Sequence, residues 1–178
     1  MSDPITLTEV PIVAAWNVQG DASRAGFTDQ VARQFSIALP IAPNNAARGD
    51  ALTAIWLGPR SWLLFAEAGG APRADFIERR NALNAVGGAL FDLSVSRVAY
   101  RLAGEHTTDV LATGCPLDLH PRVFRKGDCA QSVFGRVNAL LYKADETPTF
   151  VIMVARSFAR DVWQALCISA AQYGYRAQ

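Results

Sequence analysis

Two of the three cysteines and one of the two histidines fall within a single short stretch, ATGCPLDLHPRVFRKGDCAQ at residues 112–131, with Asp118 between them. Thiol, imidazole and carboxylate groups this close together raise two chemistries, zinc binding and thiol catalysis. Structural zinc takes four ligands, usually delivered as close pairs, because a short spacing lets one turn aim two donors at a tetrahedral centre. Cys115, His120 and Cys129 are separated by five and nine positions and form no such pair, while Cys167 falls in the apolar middle of the last helical pattern. The spacing therefore predicts no metal, with the cysteines as small buried hydrophobes and His120 as a loop residue. A catalytic thiol needs a base to lower its pKa and an open approach. His120 is near Cys115 in sequence, but Pro116 and an extended PLDLHP carry the two side chains apart.

Other catalytic signatures fail in similar ways. LGPRSW contains no Gly-x-Ser-x-Gly, and VGGALFDLS lacks the glycine spacing that wraps a pyrophosphate at a helix start. Asp92, Asp109, Asp118 and Asp128 are scattered, each expected as a cap, a turn residue or one half of a surface ion pair. Arg122, Arg125 and Lys126 form a small basic cluster after His120, which is either a solvated segment or a partner surface. Trp16, Trp56, Trp62 and Trp163 lie in strand or helix patterns, so core packing is their expected role.

Composition narrows the class further. With 178 residues, 51% of them hydrophobic, the chain has material for one domain or two small, intimately packed ones. Seventeen basic and sixteen acidic residues leave a charge of +1, so no global field draws in nucleic acid or an anionic membrane. No apolar run approaches the roughly 20 residues of a spanning helix, and MSDPITLTEV lacks the features of a signal peptide. Three cysteines suit a reducing compartment, so a cytoplasmic protein is expected.

The elements that must position these residues follow from periodicity. PIVAAWNVQ (11–19) reads as a strand. TDQVARQFSIAL reads as a helix with Val31, Phe35 and Leu39 on one face, Thr28 at its cap and Pro40 beyond its end. TAIWLGPRSWLLFAEAGG reads as a hairpin turning at Gly-Pro-Arg-Ser. PRADFIERRNALNAV reads as a helix that buries Phe76, Ile77, Leu83 and Val86, leaves Glu78, Arg79 and Arg80 largely off that face, and stops at Gly87-Gly88. SRVAYRLAG is a half-buried strand and EHTTDVLATG a short helix. AQSVFGRVNALLYKAD and TPTFVIMVA form a strand pair, and SFARDVWQALCISAAQYG is a closing helix with Phe158, Val162, Leu166 and Ala170 in line.

Each half thus repeats strand, helix, hairpin, helix. The expected fold is α+β, two ferredoxin-like units over residues 1–95 and 96–178 packed into one compact domain. Between Gly114 and the strand near Ala130 runs a connection of about fifteen residues, long enough to be a candidate functional segment. Leu117, Asp118, His120, Arg122, Phe124 and Arg125 are its candidate interface residues. Pro116 and Pro121 restrict its backbone, and the arginines can fork onto carboxylates. Two arrangements remain open: apolar anchors turned toward a partner, or leucines and Phe124 folded back onto the chain's own core.

LGPRSWLLFA, FDLSVSRVAYRLAG, LATGCPLDLHPRVFRKGDCAQSVFGRVNALLY and FVIMVARSFARDVWQAL, in this order, resemble the gamma subunit of bacterial heterotetrameric sarcosine oxidase. The resemblance covers most of residues 10–175. Its most specific parts are GCPLDLHPRVF, followed by Gly127, Ala130 and Gln131, and ARSFARDVW. A broader kinship with folate-binding aminomethyltransferases implies a fold of paired ferredoxin-like units. For function, the resemblance implies a complex that oxidatively demethylates sarcosine to glycine with hydrogen peroxide and passes the one-carbon unit to tetrahydrofolate. FAD, FMN, NAD and zinc would be carried by the alpha, beta and delta partner subunits and no cofactor by this chain, whose family pattern assigns it no catalytic residue. The alternative is a free-standing folate-binding aminomethyltransferase-like or iron-sulfur-repair-like protein. RKGDCAQS matches the Lys-Gly-Cys-x-x-Gly-Gln motif of the repair proteins only in part, with Asp128 inserted before Cys129 and the second glycine missing.

Overall fold

The computed structural model describes residues 5–67 and 76–178. In chain order the elements are β1 (Ile5–Val10), β2 (Ile12–Gln19), α1 (Ala25–Phe35), β3 (Ala46–Arg48), β4 (Thr53–Gly58), β5 (Ser61–Glu67), α2 (Phe76–Asn84) and β6 (Ala89–Asp92). Then follow β7 (Arg97–Ala103), α3 (Thr107–Ala112), β8 (Cys129–Phe134), β9 (Val137–Asp145), β10 (Thr149–Ala155), α4 (Ala159–Ala171) and β11 (Tyr175–Ala177), with a 3-10 turn at Arg156–Phe158 before α4. The chain is α+β, and its strands form two sheets, one in each of two compact units.

The unit Pro11–Val95 carries the sheet β3-β4-β5-β2-β6. Its central strands occur along the chain as strand, helix, hairpin, helix, strand, which is the ferredoxin-like plan. Phe27, Val31 and Phe35 recur every four residues on α1 and pack into a core with Trp16, Trp62, Leu64 and Leu83. Full burial of each such side chain contributes about 1.5–3 kcal/mol. Helix α1 starts at Ala25, before the expected cap, and Thr28 donates its hydroxyl to the Ala25 carbonyl from within the first turn. It ends at Phe35 because Ser36 takes a left-handed φ of 52°, so Leu39 lies beyond the helix. On α2 the expected inward face is revised. Ile77 is 57% exposed, whereas Arg79 is drawn over the rings of Trp16 and Phe35 and donates to the Gln34 carbonyl. Residues 68–70 of the expected hairpin and 72–75 of the expected helix lie outside the described residues.

The second unit comprises Ser96–Gln178 together with β1, and its sheet order is β11-β1-β7-β10-β9-β8. This differs from the expected division at residue 95, which placed β1 with the first half. Thr6–Val10 pairs antiparallel with β7 and Ile5–Leu7 parallel with β11, and Ile5 and Leu7 join the core beneath α3 and α4. Val98, Tyr100 and Leu102 of β7 join the same core, with Val162, Leu166 and Ala170 of α4. Phe158, expected in line with them, precedes the helix and is 44% exposed. The run 130–145, expected as one strand, is two. It reverses at Gly135, whose φ of +61° admits a tight turn that a side chain would strain.

Candidate functional site

The connection from α3 to β8 is held by its own polar groups rather than left open. The Cys115 N–H donates to the Leu111 carbonyl at 2.8 Å, extending the last turn of α3. Asp118 Oδ1 then accepts from the His120 N–H at 3.0 Å, and His120 Nδ1 accepts from the Arg122 N–H at 3.2 Å. The His120 carbonyl accepts from both Val123 and Phe124, which closes a tight turn around Pro121. Asp128 Oδ2 accepts from the Arg125 N–H at 2.6 Å, while the Asp128 N–H returns a bond to the Arg125 carbonyl at 2.9 Å. Aspartates used in this way are local caps, not general acids. Asp92, which accepts from the Ser94 N–H and hydroxyl, has the same role, and Asp109 faces His106 at 3.0 Å.

The burial of the segment alternates sharply. Leu119 and Phe124 are buried in the core of this unit, the Phe124 ring lies 5.9 Å from that of Phe150, and Leu117 packs against the same cluster. Of the two arrangements left open, Leu117, Leu119 and Phe124 take the one folded back onto the chain's own core, because the hydrophobic gain of burial is available within the chain itself. Of the named candidates, Leu117 and Phe124 support the segment, while Asp118, His120, Arg122 and Arg125 are exposed. Val123, which sequence reasoning passed over, is the exposed apolar residue here at 60%. The Arg122, Arg125 and Lys126 side chains form no ion pair among the described residues, and both nearby aspartates are engaged with backbone N–H groups. The result is a firmly shaped cationic face with an apolar centre.

The thiols and two clefts among the described residues are the alternatives, and their surroundings set what chemistry each could do. Cys115 donates to the Ser132 hydroxyl at 3.9 Å, Cys129 is buried, and none of the three cysteines forms a disulfide. Among the described residues no group of three His, Cys, Asp or Glu side chains is placed to hold a metal ion. A cleft of about 320 Å³ lies beside α4, lined among others by Thr113, Phe134, Arg136, Asp161 and Ser169. It presents hydroxyls and one charge of each sign, with neither an imidazole nor a thiol. A second cleft, of about 230 Å³, is bordered by Gln19, Gly20, Arg60, Gly87 and Gly88. The N–H groups of its three glycines all donate within the chain, so they present no nest for an anion. No helix among the described residues is long and apolar enough to cross a membrane.

Residues 19–172 match the sarcosine oxidase, gamma subunit family. Among solved structures, the chain is similar to heterotetrameric sarcosine oxidase from Corynebacterium sp. U-96, solved in complex with pyrrole 2-carboxylate. The TM-score is 0.85 at 26% identity, covering 95% of this chain and 85% of that one. It also shares its fold with the glycine cleavage system aminomethyltransferase T from Bartonella henselae, at a TM-score of 0.70 and 16% identity. That likeness covers 98% of this chain but 47% of the aminomethyltransferase, so the chain spans about half of that protein's length. No curated protein matches in sequence.

Proposed function

The chain belongs to the sarcosine oxidase gamma subunit family, and on that premise we propose that it is a non-catalytic subunit supporting assembly of a heterotetrameric sarcosine oxidase. The complex would demethylate sarcosine oxidatively to glycine with hydrogen peroxide and transfer the one-carbon unit to tetrahydrofolate. Its alpha, beta and delta subunits would carry FAD, FMN, NAD and zinc. A reducing cytoplasm is the proposed setting, in keeping with three cysteines none of which forms a disulfide. The observation that carries this reading is the family match over residues 19–172, supported by the structural likeness at a TM-score of 0.85.

The docking surface in this reading is the exposed side of the α3–β8 connection. Asp118, His120, Arg122 and Arg125 would meet a partner subunit, with Val123 as the apolar contact and Leu117 and Phe124 supporting them from below. Guanidinium groups without an internal carboxylate partner suit forked bonds to carboxylates across an interface. Co-expression with the larger subunits and purification through a tag on this chain tests the proposal. The expected result is a yellow complex with sarcosine-dependent peroxide production. R122E/R125E should melt like the parent and fail to co-purify, since like charges at a docked surface cost several kcal/mol and a free surface change stays within about 0.5 kcal/mol. Normal assembly of that variant removes the docking surface from the proposal, and failure of the parent chain to recover the larger subunits removes the subunit reading.

A further inference from the structure

Lys143 is a charged residue in a place that strand periodicity reserves for the core. It follows Ala139 and Leu141 at two-residue steps on β9, both of them core residues, and it is 3% exposed. Across the sheet it pairs with Phe150 of β10, and its ammonium lies 5.7 Å from the centre of that ring. All three of its polar groups are directed at the end of the α3–β8 connection. Nζ donates to the Phe124 carbonyl at 2.9 Å, the backbone N–H donates to the Asp128 carbonyl at 3.0 Å, and the backbone carbonyl accepts from the Gly127 N–H at 3.0 Å. The two backbone bonds would survive any side chain at this position. A methionine would keep them, fill similar space and avoid the desolvation penalty of a buried ammonium. What the lysine adds is the bond to Phe124, placed where the connection turns from its buried anchor to its exposed arginine.

We infer that Lys143 is a positioning residue for subunit docking: its buried ammonium fixes the arc Pro121–Lys126 in the shape in which Arg122, Val123 and Arg125 meet a partner subunit. This rests on the docking surface proposed above and adds its cause. A surface segment that samples several shapes binds with an affinity reduced by the fraction of time it spends in the right one, and a buried grip removes that reduction. The Asp118 and Asp128 caps shape the arc from the outside, while Lys143 ties it to the sheet from the inside.

Amide hydrogen exchange on the full chain, together with competitive assembly, tests the inference. In K143M, exchange over residues 121–128 should rise about tenfold or more while β7 and β10 stay as protected as in the parent. When parent and K143M chains carrying different tags compete for limiting larger subunits, K143M should be under-represented about tenfold in the purified complex. Unchanged exchange overturns the inference, and so does faster exchange with equal incorporation. Should K143M not fold, D128A loosens the same arc from its exposed side, and normal incorporation of a loosened D128A chain overturns the inference as well. So does a parent chain whose 121–128 amides exchange as fast as an unstructured loop. Failure of the docking surface is distinguishable, because R122E/R125E would then incorporate normally. If the inference alone fails, R122E/R125E is excluded while K143M is incorporated.

Discussion

The Cys115 thiol donates to the Ser132 hydroxyl across 3.9 Å, from the start of the α3–β8 connection to the strand that follows it. His120, five residues further along, accepts from the Arg122 N–H instead. The pair that came nearest to a thiol and base in the sequence is divided between two separate hydrogen-bond systems. Cys115 is also 4% exposed, which denies it the open approach that a nucleophile requires.

Cys115 and Cys129 are accordingly expected to act through packing. C115A and C129A should each lower stability by about 1–3 kcal/mol in urea unfolding, because each removes a buried sulfur and leaves a small void. Turnover of the assembled complex should be unaffected. A loss beyond about tenfold in kcat with the complex intact, more than 1.4 kcal/mol on the barrier, would return a catalytic role to the thiol.

Two glycines in the first unit should respond in opposite directions to alanine. A Cβ at Gly20 would fall 2.2 Å from the Phe27 ring, inside the core, whereas at Gly26, early in α1, it would meet nothing within 4 Å. G20A is expected to destabilise by about 1–3 kcal/mol through overpacking. G26A should stabilise by up to about 1 kcal/mol, since alanine loses less backbone entropy than glycine on entering a helix. Thermal unfolding of both variants checks this, and a G20A chain as stable as the parent contradicts the packing at Phe27.

Alkaline stability should depend on Tyr100. Its hydroxyl donates to the Ala159 carbonyl at 2.8 Å and its ring lies 5.1 Å from that of Trp163. Burial pushes the phenol above its ordinary value of 10.0 and the Glu9 charge adds to the rise, while Arg156 opposes it. The folded chain therefore holds this proton more tightly than the unfolded chain does. The stability so contributed is complete below about pH 10 and is lost as pH rises from there through the folded value. Y100F has no such proton, so its urea midpoint should fall less steeply than the parent's across that window. Parallel curves would show that Tyr100 does not set the slope.

Much of the local structure is legible in the sequence because its causes are local. The spacing of Phe27, Val31 and Phe35 makes α1, and Gly-Pro-Arg-Ser turns the β4–β5 hairpin. The lack of ligand pairs and nucleophile motifs is equally visible, as is the α3–β8 connection as a long segment between a helix and a strand. Periodicity stops where a residue's surroundings come from distant parts of the chain. Arg79 reads as a solvent-side residue of its helix until Trp16 and Phe35 offer it two ring faces. Lys143 is the opposite case, since a lysine two positions after Leu141 stands on the core side of its strand by alternation alone.

By itself, then, the sequence determined the element types, the α+β class and the family resemblance, because hydrophobic period, turn chemistry and motif order are properties of neighbouring residues. Tertiary structure alone decided which sheet β1 joins, since the unit holding Ile5 and Leu7 is set by pairing with β7 and β11, strands that lie far along the chain. It also decided which side of the α3–β8 connection faces outward. Leu117, Leu119 and Phe124 turn inward because a core within reach in the same chain buries them without the loss of freedom that association with another subunit entails, and that leaves Arg122, Val123 and Arg125 at the surface.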